Sequence, residues 1–302
     1  MSPRKSDIHA RLAAIEALVC RDVGRQTGDL MAASAGGLPS AAQALATAKS
    51  VGLITGFFVP RAAVPAAETD GPIGTALLAA ALAACGVPAR VAVDGPSAKV
   101  VRAAIDAAGQ PVTLDEVSVG VRTDIDRLID AWEAVGISHA VSIERCGRSA
   151  DGRPRNMRGL DVSAWTAPLE DLYSAGSWTR IAVGDGGNEI GMGRLPADLI
   201  ARTVPNGAAI ACVVPCDHLI VAGVSNWGAY GLMAALAVLR PDWRSTIAPF
   251  LNAELDFAVT RAIVERAGAV DGVTARPEAT VDGLGPDVHG ALIEELARIA
   301  AG

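Results

Sequence analysis

Short, almost wholly apolar runs separated by longer alanine-rich or amphipathic segments set the pattern of this chain. Residues 51–59 (VGLITGFFV), 89–93, 112–114, 139–143, 181–183 and 208–214 read as strands, the first ending at Pro60. Residues 72–85, 97–108, 123–135, 226–239, 253–267 and 286–301 read as helices. Pro72 stands at a first helical position, and Gly86, Gly109 and Gly136 each follow a helix end. Continuous apolar strands alternating with helices predict a mostly parallel sheet covered on both faces. The expectation is one α/β domain over residues 1–302, three-layered and Rossmann-like. No repeat or low-complexity linker divides it, and strand order is not readable from the pattern.

Composition narrows the class without naming a chemistry. Hydrophobic residues make up 51% of the chain and charged residues 20%, with aromatics at 4% and 32 glycines. Such a chain buries enough surface to offset its ordering entropy, with a core of Ala, Val, Leu and Ile. The net charge of −7 argues against a nucleic-acid partner, which needs a basic face. The most apolar stretch, 73–87, falls short of the ~20 residues that span a bilayer. Asp7 and Glu16 interrupt any secretory signal. Cys20, Cys85, Cys146, Cys212 and Cys216 are odd in number and scattered, as reduced thiols are. A cytoplasmic protein without a membrane partner is expected, and a homo-oligomer is left open.

Ligands of open parallel sheets bind beyond the carboxyl ends of the strands, and the polar oddities of this chain gather there. Glu68 and Asp70 follow the first strand. Glu144-Arg145-Cys146-Gly147-Arg148 follows residues 139–143, with Arg153, Arg155, Asn156 and Arg158 beyond. The run 184–193, GDGGNEIGMG, follows 181–183, and Ser225-Asn226 precedes a helix. The glycine run resembles a phosphate cradle, yet Glu189 stands where a dinucleotide fingerprint needs glycine, and no P-loop lysine is present. No nucleotide cofactor is expected. Asp185 and Glu189, with Asn188 between them, suit a hard cation or an ammonium group. The arginines suit an anionic substrate, and Ser225-Asn226 reads first as a helix cap, which can also hold a carboxylate.

Several segments together resemble the D-glutamate cyclase family. They are GLITGFFVP (52–60), ETDGP (68–72), SIERCGRSADGRPRNMRG (142–159), VGDGGNEIGMG (183–193), VSNWGAYGL (224–232) and VDGVTARPEATVDGL (270–284), with His289. The resemblance implies an intramolecular dehydration of D-glutamate to 5-oxo-D-proline, a hydro-lyase reaction linked with a divalent metal, Mn or Mg. That chemistry needs a base for the amine, a cation at the γ-carboxylate and an acid for the leaving oxygen. Glu144, Asp185 and Glu189 are then candidates for catalysis. Glu68, Asp70, Asp185 and Glu189 are candidates for metal ligation. Arg145, Arg148, Asn188, Ser225 and Asn226 are candidates for substrate binding. Animal members are mitochondrial, but no acid-poor, Arg/Ser-rich leader precedes Asp7. Two rivals remain at this point. One is an enzyme or binding protein for a small phosphorylated ligand using the 184–193 loop; the other is a non-catalytic small-anion binding protein.

Overall fold

The computed structural model describes residues 3–302, with side chains from residue 6 onward. Helices α1 (Pro3–Val19), α2 (Gly28–Ala33) and α3 (Gly37–Leu45) precede strand β1 (Val51–Ile54). A short hairpin of β2 (Phe58–Val59) and β3 (Ala66–Ala67) leads into α4 (Pro72–Ala84). There follow β4 (Ala89–Asp94), α5 (Gly95–Ala108), β5 (Thr113–Val117), α6 (Arg122–Ala134) and β6 (His139–Ile143). Next come α7 (Leu169–Ala175), β7 (Thr179–Gly184), α8 (Ala197–Thr203), α9 (Gly207–Ile210), β8 (His218–Val221) and α10 (Ser225–Leu239). The chain closes with α11 (Arg244–Ile247), α12 (Ala253–Ala267) and α13 (Pro286–Ala301).

Six strands form one sheet in the order β5-β4-β1-β6-β7-β8, and every pairing in it is parallel. The α/β three-layer expectation is met. Strand β1 lies between β4 and β6, so the winding direction reverses there. In doubly wound sheets that reversal opens a crevice at the carboxyl ends of the two central strands.

Period-two alternation assigns the faces. Leu53, Val91, Val93, Val141, Ile143, Ile181 and Val183 pack on one helical layer, built from α1, α3, α4, α5, α10, α12 and α13. Helix α10 is buried from Ser225 to Val238, which explains why its sequence is apolar all round. Ile54, Ala92, Ala140 and Ala182 face the opposite layer, where α2, α6, α7, α8 and α9 lie. Small residues on that face let a large ring approach the sheet. A Cβ on Gly52 would lie 2.3 Å from the Trp132 indole.

Three element expectations change. The 51–59 run is not one strand, because Gly56 turns the chain at φ +109° and the rest enters the hairpin. The 112–114 strand runs instead from Thr113 to Val117, a partly exposed sheet edge. The 208–214 run is not the last strand. Asn206, at φ +58°, starts the helical turn α9, and residues 211–215 pass beneath the glycine loop, paired at Ser149–Cys212 and Gly191–Pro215. The sheet is completed by His218–Val221. An apolar run of that length fits strand and buried turn equally, and periodicity does not separate them.

Candidate active site

The segments after β1, β6 and β7, residues 24–26 and the segment between α12 and α13 enclose a cavity of about 410 Å³ beyond the β1–β6 crevice. Glu68, Glu144, Asp185, Asn188 and Asp282 line its acidic part. A cavity of similar size, about 420 Å³, lies beside the amino end of β8 with Ser40, Arg194 and His218. It brings no carboxylate cluster together among the described residues.

Two helices begin at the site, and their caps are exchanged. Asp70, ahead of α4, accepts hydrogen bonds from the backbone N–H groups of Ser225 (2.9 Å) and Asn226 (2.8 Å), the first residues of α10. Asn226 Oδ1 in return accepts from the N–H groups of Gly71 (3.0 Å) and Gly74 (2.8 Å) at the start of α4. Gly71 adopts φ +91°, and a Cβ on it would stand 2.8 Å from the Glu144 Cβ. Ser225 and Asn226 therefore do not offer a free helix end to a substrate carboxylate. Asp70 already fills it, and the formal N-cap residue is Val224.

Glu144 leaves β6 at φ +44°, a left-handed conformation that costs a glutamate roughly 1–2 kcal/mol. Its Oε2 accepts the Ser225 hydroxyl at 2.6 Å, which fixes the carboxyl group. Burial, and then the charges of Asp185 and Glu189, push its pKa well above the ordinary 4.5. Glu68 has the same direction of shift, caused by burial and then by Asp282 and Asp70. Among the described residues no hydrogen bond or ion pair engages the Glu68 side chain, and it faces the cavity. Gly272 makes room for it, since a Cβ there would lie 2.0 Å from Glu68 Oε2.

Glu189 folds back on its own loop. Its Oε1 accepts the N–H groups of Asp185 (2.9 Å) and Gly186 (2.6 Å), and Oε2 accepts that of Gly187 (2.7 Å). The backbone cradle that glycine builds here is thus filled by the chain's own carboxylate. That removes the phosphate-cradle reading of the loop. Asn188 Nδ2 donates to the Arg155 carbonyl at 2.8 Å, tying the loop to residues 155–158.

Two site residues come from places without a strand-end signal. Arg25, in the connection after α1, bridges Asp185 Oδ1 at 2.7 Å and Asp282 Oδ1 at 2.6 Å. Burial opposes its charge, but Asp185 and Asp282 outweigh it and its pKa is raised. Burial likewise raises Asp185, although Arg25 pulls it down. The Oδ2 atoms of Asp185 and Asp282 are buried and have no hydrogen-bond partner among the described residues. Asp70, Asp185 and Asp282 bring carboxylate oxygens within 4.8 Å of one another, as do Glu144, Asp185 and Glu189. An all-oxygen, anionic donor set with unpaired atoms fits a hard divalent cation such as Mg or Mn. Such clusters could hold one.

The two arginines nearest the strand end are engaged elsewhere. Arg145 is 1% exposed and pairs with Asp94 at 2.6 Å. It also donates to the carbonyls of Gly56 (2.9 Å) and Ala167 (2.6 Å). A buried cation so paired holds three loops together and is not free for a ligand. Arg148 reaches Asp171 at 3.0 Å and Glu170 at 3.6 Å, outside the cavity. Cys146 donates to the Arg155 carbonyl at 3.2 Å, and burial raises its pKa, so it is an inert thiol.

Residues 15–297 match a family model described as "D-glutamate cyclase-like, C-terminal". The chain belongs to the D-glutamate cyclase-like family. The matched span contains every site residue named above, Arg25 and Asp282 included. Within the family, the chain is similar to the human protein named "D-glutamate cyclase, mitochondrial", with 34% identity over 223 residues. That match covers 67% of this chain but only 35% of the human protein. Among the described residues no helix is long and apolar enough to cross a membrane.

Proposed function

We propose that this protein converts D-glutamate to 5-oxo-D-proline and water. Family membership and the name of the human relative support the substrate. The observation that carries the chemistry is a pair of buried glutamates, Glu68 and Glu144, facing one cavity with raised proton affinity. One C–N bond forms and one C–O bond breaks. Two protons leave the amine nitrogen, and both depart with the γ-carboxylate oxygen as water. The reaction therefore consumes no net proton but must carry protons from nitrogen to oxygen. A carboxylate whose pKa is raised by burial is a better base for an ammonium and, once protonated, still an acid.

Glu68, without a hydrogen-bond partner among the described residues, takes the amine proton. Glu144, held by Ser225, gives a proton to the departing oxygen. Asp185 and Asp282 would hold a divalent cation through their unpaired Oδ2 atoms, with Asp70 beside them. Such a cation, Mn or Mg, supplies charge neutralisation at the γ-carboxylate and so makes its carbon electrophilic. Glu189 shapes the loop that presents Asp185. Incubation with D- and L-glutamate, with and without EDTA, followed by chiral detection of 5-oxoproline, tests the reading. Formation of 5-oxo-D-proline from D-glutamate is expected; its absence with Mn or Mg present overturns the assignment.

A further inference from the structure

Glutamate carries a second carboxylate, at the α-carbon, that takes no part in ring closure. The inner cavity is unsuited to it, because Glu68, Glu144 and Asp185 would repel it, Arg25 is neutralised by Asp185 and Asp282, and the cation those acids would hold is taken by the γ-carboxylate. Both backbone anion sites are filled as well: Asp70 occupies the start of α10, and Glu189 occupies the glycine loop. Two cationic side chains of the cavity lining remain, Arg61 and Arg158.

We propose that Arg61 and Arg158 clamp the α-carboxylate of the substrate at the cavity mouth, a role that rests on the D-glutamate reading above. Among the described residues neither has a carboxylate partner, in contrast to Arg145, Arg148, Arg153 and Arg155. Arg61 is tethered by one nitrogen only. Its Nη2 donates to the carbonyls of Gly272 and Val273, each at 2.7 Å, which leaves Nε and Nη1 for a ligand. The Arg158 side chain makes no hydrogen bond among the described residues. Its backbone is set by Asn156, whose Oδ1 accepts the N–H groups of Arg158 (3.0 Å) and Leu160 (3.1 Å). Both side chains line the mouth of one cavity, and burial and then the charge of Arg158 depress the pKa of Arg61. Two planar forks around one carboxylate is a favoured geometry. The cavity is then polarised along its length, with acids inside for the amine and arginines outside for the spectator carboxylate.

The test compares D-glutamate with 4-aminobutanoate, which lacks the α-carboxylate, on the full-length protein and on Arg61→Met, Arg158→Met and Arg158→Lys. Loss of one charge-assisted contact is expected to raise KM for D-glutamate by about ten- to a hundredfold while kcat stays near wild type. Arg158→Lys should recover part of that loss. Binding of 4-aminobutanoate, read as competition against D-glutamate, should be the same in all four proteins. An unchanged KM in both Met variants, or an equal loss of 4-aminobutanoate binding, overturns the clamp while leaving the cyclase reading intact. A wild-type protein that forms no 5-oxoproline overturns the cyclase reading instead. The clamp is then read from stabilisation by D-glutamate: a rise in melting temperature lost in both Met variants supports it, and any other pattern overturns it.

Discussion

Asp70 and Asn226 stand 152 to 156 positions from the groups they cap, and each caps the helix that the other begins. The exchange joins α4 to α10, the two most deeply buried helices, at the point where β1 and β6 diverge. It also carries an electrostatic consequence. A carboxylate accepting N–H groups at one helix start is favoured by the positive end of the dipole. Burial and Asp282 nevertheless raise the Asp70 pKa, and the Ser225 and Asn226 N–H groups only partly offset this.

Asn226→Ala should therefore lower unfolding free energy by about 1–3 kcal/mol, the cost of leaving the buried N–H of Gly74 unpaired, while that of Gly71 keeps Asp70 Oδ1 at 3.0 Å. Asp70→Ala exposes the Ser225 and Asn226 N–H groups in the same way. Because the two side chains act on one junction, the double variant should lose less than the sum of the two. Urea denaturation of the four proteins gives the coupling, and simple additivity would show that the two caps are independent.

Removing charge from the buried glutamates should separate activity from stability. Glu68→Gln and Glu144→Gln are expected to lower kcat by roughly 100-fold or more. Both groups have folded pKa values raised above the ordinary 4.5. Their contribution to stability is thus fully present below that value and is lost as pH rises through the raised folded pKa. Each Gln variant should accordingly show a flatter fall in melting temperature with rising pH than the parent. Scanning calorimetry at several pH values checks the slope, and 5-oxoproline release checks turnover. Wild-type turnover in Glu68→Gln would remove it from the proton path.

The cation assignment predicts a linked stabilisation. Mn or Mg should raise the melting temperature of the parent by binding the folded state alone, about 2.7 kcal/mol when the cation is at 100 times its Kd. EDTA should reverse the rise. Asp282→Asn and Asp185→Asn should abolish the response, whereas Asp161→Asn, on the surface with Arg153, should keep it. Equal responses in all three variants would place the cation elsewhere.

How the site could be read from the chain follows from the same geometry. Glu68, Glu144, Asp185 and Ser225 sit beside strand ends, so the rule for parallel sheets located them without knowledge of strand order. Arg145 shows the limit of that rule. A ligand-binding arginine and one buried against Asp94 look alike in sequence, and only the pairing of β1 with β4 and β6 decides between them. Arg25 and Asp282 follow no strand. They reach the site through packing of α1 and α13 on α10, a contact between distant parts of the chain that no local pattern encodes. The 208–214 run departs from its expected strand for a related reason: Ile210, Ala211, Cys212 and Val214 are buried with Ile190 and Met192 of the glycine loop rather than between strands, and Ala208, Ala209 and Val213 are exposed.

The thiols offer a last check on the mechanism, because none of them is needed by it. Burial pushes the pKa of Cys212 and Cys216 up to about 12, and burial with Glu16 does the same for Cys20. Cys146 is raised well above its ordinary value. A thiol with a pKa near 12 is roughly one part in 10,000 thiolate at pH 8, and the thiolate is the reactive form. Cys85, partly exposed and raised less by burial, is the exception. A disulfide-exchange reagent at pH 8 should thus titrate about one thiol, Cys85, in the folded protein, and all five after unfolding. Turnover of D-glutamate should survive the treatment of the folded protein. Rapid modification of Cys146 with loss of turnover would instead mark that thiol as a nucleophile and displace Glu68 and Glu144 from the centre of the reaction.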